Sequence, residues 1–266
     1  MVDISLVTIL LPAFCGGALV LISHLILGRQ VLNRGIVFMD LAVAQIAAMG
    51  SIFAHLMSEI LGVSESPSQE AFMNALETAM PFIFSVSGAC LISRLSSRTS
   101  IELEAMIGCI YILAAACILL VLSSDPHGAE HMSDTLGGKI LWIQWSSLVT
   151  PGLATLALLA GLLLKPQLLT TNLFYPIFAI LITLSVELAG VYLVFSTLIM
   201  PALAVSGMTG KKSWITGYGL GVAGIGAGLV LSSLLDYPGG PSIVLTMAMA
   251  CMMFRWLVRA PATVSP

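Results

Sequence analysis

Charge is what this sequence has least of. Only 9 % of its 266 residues are Asp, Glu, Lys or Arg, while 58 % are hydrophobic. A soluble domain of this length needs a charged coat, because monomers rarely expose large contiguous apolar patches, so that class is excluded. A disulfide or zinc framework is missing too. Cys15, Cys90, Cys109, Cys117 and Cys251 fall inside apolar runs with no CxxC pair, and are expected to be small buried apolar side chains. The start, Met1-Val2-Asp3-Ile4, has neither a basic stretch nor a small-residue cleavage site before its apolar run, and no cleaved signal peptide is expected. No segment has the composition of a soluble catalytic, ATP-binding or nucleic-acid-binding module. Any such module is expected on another chain. The segment from Gly207 to Ser213 imitates a phosphate loop, but the first glycine of GxxxxGK[ST] falls on Val205 and Lys212 takes the Ser/Thr place.

What is present is apolar length. Runs of about 20 apolar residues suit helices that cross ~30 Å of hydrocarbon. They lie near 4–27, 36–58, 72–92, 105–122, 140–164, 168–186, 189–208, 213–234 and 241–257. The sixth and seventh come from one run between Lys165 and Lys211 that is too long for a single crossing and is split at Glu187 and Gly190. The expected fold is an all-α integral membrane protein, a polytopic bundle of 8–9 transmembrane helices. No linker divides it, so a single transmembrane domain over residues 1–266 is expected. Glycines within the spans, among them Gly217, Gly219, Gly221, Gly224, Gly226 and Gly228, permit close helix approach.

Nine of the ten basic residues cluster in the short gaps: Arg29 and Arg34, Arg94 and Arg98, Lys165, Lys211 and Lys212, Arg255 and Arg259. With the N-terminus outside, all nine fall on the cytoplasmic side and only Lys139 lies outside; the reverse orientation violates the positive-inside rule throughout. The outer connections then carry Glu65, Glu70, the stretch from Asp125 to Asp134, and Asp236, an acidic face suited to receiving cations.

A carboxylate within the hydrocarbon costs about 2.5–3.5 kcal/mol on insertion scales, so such residues face a bundle interior, a cavity or a permeant ion. Asp40 stands six residues after Arg34, near the cytoplasmic end of the second span, with Gln45 at i+5 and small Ala42 and Ala44 between them. Either it pairs with Arg34 or Arg29 at the interface, or it is a pathway carboxylate that holds a divalent cation in transit. Glu77 reads as interfacial, and Glu187 as a helix-break or packing residue.

The outer loop Asp125-Pro126-His127-Gly128-Ala129-Glu130-His131-Met132-Ser133-Asp134 gathers two of the four histidines with three carboxylates. Imidazole with carboxylate suits zinc or manganese. His127, Glu130 and His131 also form an His-x-x-Glu-His string of the kind found in inverted zinc proteases, although Pro126 and Gly128 oppose a rigid catalytic helix there. Metal contact, protease and plain solvated loop all remain open on the residues alone. His24 and His55 are isolated within spans and are expected to be packed and hydrogen-bonded.

Several separate segments share one resemblance. These are Gly28-Arg29-Gln30-Val31-Leu32-Asn33-Arg34-Gly35 leading into Asp40, read as a basic turn, and Glu104-Ala105-Met106-Ile107-Gly108 opening the fourth span. The others are Gly190 through Pro201-Ala202, and Leu235-Asp236-Tyr237-Pro238-Gly239-Gly240-Pro241-Ser242-Ile243-Val244-Leu245. In order and spacing the chain resembles the membrane permease subunit of bacterial ABC transporters for zinc, manganese or iron. The resemblance implies a transporter subunit, not an enzyme, in the bacterial cytoplasmic membrane. It implies a homodimeric or paired permease with two cytosolic ATP-binding subunits and an extracytoplasmic metal-binding protein. No cofactor is implied to be bound permanently; the divalent metal is the transported substrate, with zinc placed ahead of manganese or iron by the histidine-bearing loop. Asp40 with Gln45, and His127, Glu130 and His131, are the candidate metal contacts; Glu104 and Glu187 are candidate pathway or gating residues. The family's segment that couples to the ATPase maps onto Leu203, Ala204, Val205, Ser206, Gly207 and Met208, with Lys211 and Lys212. Many members carry a histidine four residues after the span-2 aspartate, where this chain has Ala44, and Gln45 offers an oxygen in its place. The rival functions are a permease for a chelated metal such as a siderophore or cobalamin, an intramembrane metalloprotease, and a proton-coupled secondary carrier.

Overall fold

The computed structural model of the chain describes residues 4–61, 67–95, 100–122 and 140–259. Among them every regular element is helical, as lipid requires of segments that must satisfy their own backbone groups. The helices are α1 (Ile4–Arg34), α2 (Met39–Leu61), α3 (Pro67–Leu95), α4 (Ser100–Leu122), α5 (Val149–Leu164), α6 (Phe174–Ala189), α7 (Val191–Ala204), α8 (Gly210–Leu235) and α9 (Gly239–Arg259). Among the described residues, six helical stretches are long and apolar enough to cross a membrane: Leu10–Arg34, Met39–Met57, Ala71–Leu95, Trp145–Leu164, Gly210–Leu235 and Gly239–Val258. Shorter apolar stretches lie in α4, α6 and α7.

The expected split at Glu187 and Gly190 is where α6 ends and α7 begins. Gly190 has φ 78° and ψ 162°, a backbone state open to glycine but strained for residues with a side chain. With 16 and 14 residues, α6 and α7 are roughly 24 and 21 Å long, each short of a full crossing.

Several boundaries differ from expectation for identifiable reasons. The fifth span is not helical from residue 140: two 3-10 turns, Ile140–Trp142 and Trp145–Leu148, precede α5. Pro151 falls in the first turn of α5, where its missing N–H costs no helical hydrogen bond. The sixth starts at Phe174 rather than 168, because residues 165–173 form tight turns in which the Leu168 and Thr170 amides donate to Lys165 and Gln167 carbonyls. The supposed basic turn is the end of α1, which runs on to Arg34 and stops before Gly35 at φ 68°. The cysteines are free but not uniformly buried: Cys251 is buried and Cys15 half-buried, whereas Cys90, Cys109 and Cys117 are exposed on their helices. An exposed apolar thiol is acceptable on a face that meets lipid rather than water.

The helices form two compact units. One unit comprises residues 1–33, 136–159 and 187–266. Within it α9 packs on α7 and α8. Glycine makes this packing possible: a Cβ on Gly224 would sit 2.8 Å from Cα of Met247, and one on Gly228 would overlap the backbone of Ile243. Gly221 likewise receives Leu21 of α1, and Gly28 of α1 lies against the Leu198 carbonyl of α7. Thr246 of α9 donates to the Gly224 carbonyl at 2.7 Å, adding a polar tie where the backbones come closest.

The other unit comprises residues 34–135 and 160–186, and in it α2 packs on α3 and α4. Gly50 of α2 approaches the Met80 carbonyl of α3, and Gly88 of α3 receives Ile46 of α2. A buried Thr183–Ser85 hydrogen bond of 2.8 Å ties α6 to α3.

Candidate functional site

The short link between α1 and α2 builds the site. Gly35 turns the chain, and the Met39 amide then bonds back to the Ile36 carbonyl at 3.1 Å. The Val37 amide donates to Oε1 of Glu104, on α4, at 3.1 Å. These bonds fix the start of α2 and hence Asp40 in its first turn. A negative charge is favoured at a helix N-terminus by roughly 0.3–1 kcal/mol.

Asp40 is 1 % exposed, and neither carboxylate oxygen has a hydrogen-bond partner among the described residues. The expected alternative of an Arg34 pair is not what forms. The Arg34 guanidinium donates to the Leu169 carbonyl at 2.9 Å and the Thr171 carbonyl at 3.3 Å, and lies over the Phe174 and Tyr175 rings at 4.5 and 5.4 Å. Arg29 is engaged within its own unit by Ser213 and Trp214. A planar guanidinium with several donors finds carbonyls and aromatic faces where it lies, which removes the incentive to reach a carboxylate. Asp40 is left as an acceptor-only group in a dry setting, suited to a cation or a proton.

Around Asp40 on α2, Ala42, Val43 and Ala44 are buried, and Gln45 is 5 % exposed. Gln45 is therefore buried on the same helix, five residues on. Glu104 serves as the acceptor for the link before α2, and Glu187 is exposed on the last turn of α6, one turn before Gly190. Glu77 is exposed on α3. No group of three or more His, Cys, Asp or Glu side chains able to hold a metal occurs among the described residues. His127, Glu130 and His131 lie outside them.

His24 is fully buried, and its Nδ1 lies 2.7 Å from the Thr197 hydroxyl, a packed histidine as the sequence led one to expect. His55 is exposed on α2.

The segment from Leu203 to Lys212 forms the end of α7, a turn, and the start of α8. Val205 is buried, while Leu203, Ser206, Gly207, Lys211 and Lys212 are exposed and Ala204 and Met208 are half-buried. Its anchors were not legible in the sequence: Arg255 of α9 donates to the Leu203 carbonyl, and Ser213 donates to the Val205 carbonyl at 3.3 Å. Neither serine nor arginine announces such a long-range partner, so no local pattern could have named them.

Residues 160–257, covering α6 to α9 with part of α5, match the ABC 3 transport family. This is the family the sequence resembles. Among solved structures the chain is similar to PsaBC from Streptococcus pneumoniae in complex with Fab, at 20 % identity and a TM-score of 0.63, over 92 % of this chain and 90 % of that one. At that identity the likeness speaks for the fold. A search among curated proteins finds no matching relative. The chain is thus a multi-pass membrane protein with the fold and the C-terminal sequence pattern of a transport family.

Proposed function

We propose that the chain is the permease subunit of an ABC importer for a divalent metal ion, with zinc ahead of manganese and iron. The observation that carries the proposal is Asp40, a buried carboxylate in the first turn of a membrane-spanning helix, with no side-chain partner for either oxygen among the described residues. Such a group is costly unless something transient uses it. A passing divalent cation favours the ionised carboxylate and is held weakly enough by so few ligands to leave again. Gln45 supplies a second oxygen, and His127, Glu130 and His131 in the outer loop meet the arriving ion.

Two copies of the chain, in a bacterial cytoplasmic membrane, work with two cytosolic ATP-binding subunits and an extracytoplasmic metal-binding protein. The match to a transport family whose pattern spans α6 to α9 supports this assembly. Residues 203–212 dock on the ATPase, and Glu104 and Glu187 belong to the pathway or its gates, Glu104 by fixing the start of α2.

The test is metal accumulation in vesicles that contain this chain with an ATPase encoded beside it, comparing zinc, manganese and iron with and without ATP hydrolysis. ATP-dependent accumulation of one ion, protected from the others, is the expected result. Equal accumulation without ATP would replace the proposal with a secondary carrier, and no accumulation of any free or protein-bound ion would reopen the chelate and protease functions.

A further inference from the structure

We infer that Arg29 and Arg255 are positioning residues that clamp the segment between α7 and α8 to α1 and α9, so that a push on that segment moves the helix ends as one body. The inference rests on residues 203–212 being the ATPase-docking segment. All the contacts lie within one compact unit.

Arg29 sits five residues before the end of α1. Its guanidinium carbon is 3.7 Å from the centroid of the Trp214 ring, and one of its nitrogens donates to the Ser213 hydroxyl at 2.5 Å. Ser213 passes the connection on by donating to the Val205 carbonyl, just beyond α7. Both Ser213 and Val205 are 1 % exposed, so this relay is dry. From the other side Arg255, one turn before the end of α9, donates to the Leu203 carbonyl at 2.5 Å. The two arginines thus hold carbonyls two residues apart at the start of the exposed turn, one directly and one through a hydroxyl. The turn itself presents Ser206, Gly207, Lys211 and Lys212 to the outside.

Basic residues at these positions satisfy the positive-inside rule with any cation, and lysine would serve equally. The contacts demand more. Stacking on an indole while donating a directed hydrogen bond uses the planar fork of guanidinium, which an ammonium lacks. Arg29→Lys and Arg255→Lys therefore separate topology from clamping: charge is retained and the relay is lost.

The experiment uses the full chain with its ATPase in proteoliposomes, with zinc(II) and manganese(II) as probes. It reads ions accumulated per ATP hydrolysed, together with hydrogen exchange of the amides of residues 203–209. Arg29→Lys and Arg255→Lys are expected to keep wild-type abundance and ATPase association. Their ion-to-ATP ratio should fall by about fivefold or more, the lower end of usual couplings between sites, and exchange at residues 203–209 should accelerate. Arg94→Lys, on α3, should change neither. A wild-type ratio or unchanged exchange in both variants would overturn the clamp, as would a loss of abundance with an intact ratio, which marks a structural role. The underlying docking assignment fails separately, if Lys211→Glu with Lys212→Glu leaves ATPase association at its wild-type level.

Discussion

Replacing Asp40 by Asn removes a charge while leaving the side-chain shape almost unchanged, and structural and transport roles predict opposite results. Were Asp40 a structural ion-pair partner, removing its charge would strand a buried cation and cost roughly 3–5 kcal/mol. No such cation meets it among the described residues: Arg34 is held by carbonyls and aromatic rings, and no described side chain donates to either Asp40 oxygen. The cost of a carboxylate inside the membrane is about 2.5–3.5 kcal/mol, lowered by the ~0.3–1 kcal/mol that the N-terminal turn of α2 returns. The Asn amide is left unpaired in the same dry site at about 1–3 kcal/mol, so Asp40→Asn should leave stability unchanged or raise it by up to about 1 kcal/mol. At ~2–4 °C per kcal/mol for a chain of this size, the unfolding midpoint in detergent should hold or rise by up to about 4 °C. ATP-dependent metal accumulation should fall sharply at unchanged abundance. A lower midpoint with normal accumulation would refute the reasoning and make Asp40 a structural residue.

Other substitutions test its support and the packing around it. Glu104→Ala strands the Val37 amide and should lower stability by about 1–2 kcal/mol, whereas Glu104→Gln keeps an acceptor and should lose less, as thermal unfolding of both would show; equal losses would mean that the bond to Val37 is not what matters. Gly228→Ala drives a methyl into the Ile243 backbone and should cost about 1–3 kcal/mol. Gly219→Ala, on the same helix with no described residue within 4 Å of its would-be Cβ, should be neutral or stabilise by up to ~1 kcal/mol. If detergent unfolding ranks the two alike, α8 is not held by the close approach of α9.

Composition made the helices legible, because lipid leaves few solutions for an apolar chain with so little charge. The break at Gly190 was legible for the same reason: the run around it is too long for one crossing, and Glu187 and glycine interrupt it. The start of α5 was not, since hydropathy registers Trp142, Ile143 and Trp145 as span and is blind to where Pro151 lets an α-helix begin. Burial of single residues within a span was also hidden. Lipid accepts an apolar side chain as readily as a protein core does, so the sequence cannot say which way Cys109 or Cys117 faces.

The fate of the arginines shows why the site was only half legible. Sequence proximity puts Arg34 six residues from Asp40 and suggests a pair, yet Arg34 turns to the carbonyls of Leu169 and Thr171, more than 130 residues away along the chain. Its donors are satisfied there, and the aromatic faces of Phe174 and Tyr175 cover the rest of the guanidinium. Had the pair formed, Asp40 would carry a permanent counter-ion and have little to offer a visiting cation. Satisfying Arg34 elsewhere keeps a carboxylate charged in potential but uncommitted, at a cost of a few kcal/mol that a purely structural acid would not need to bear. The disagreement between the local rule and the fold falls at the residue with the strongest claim to function.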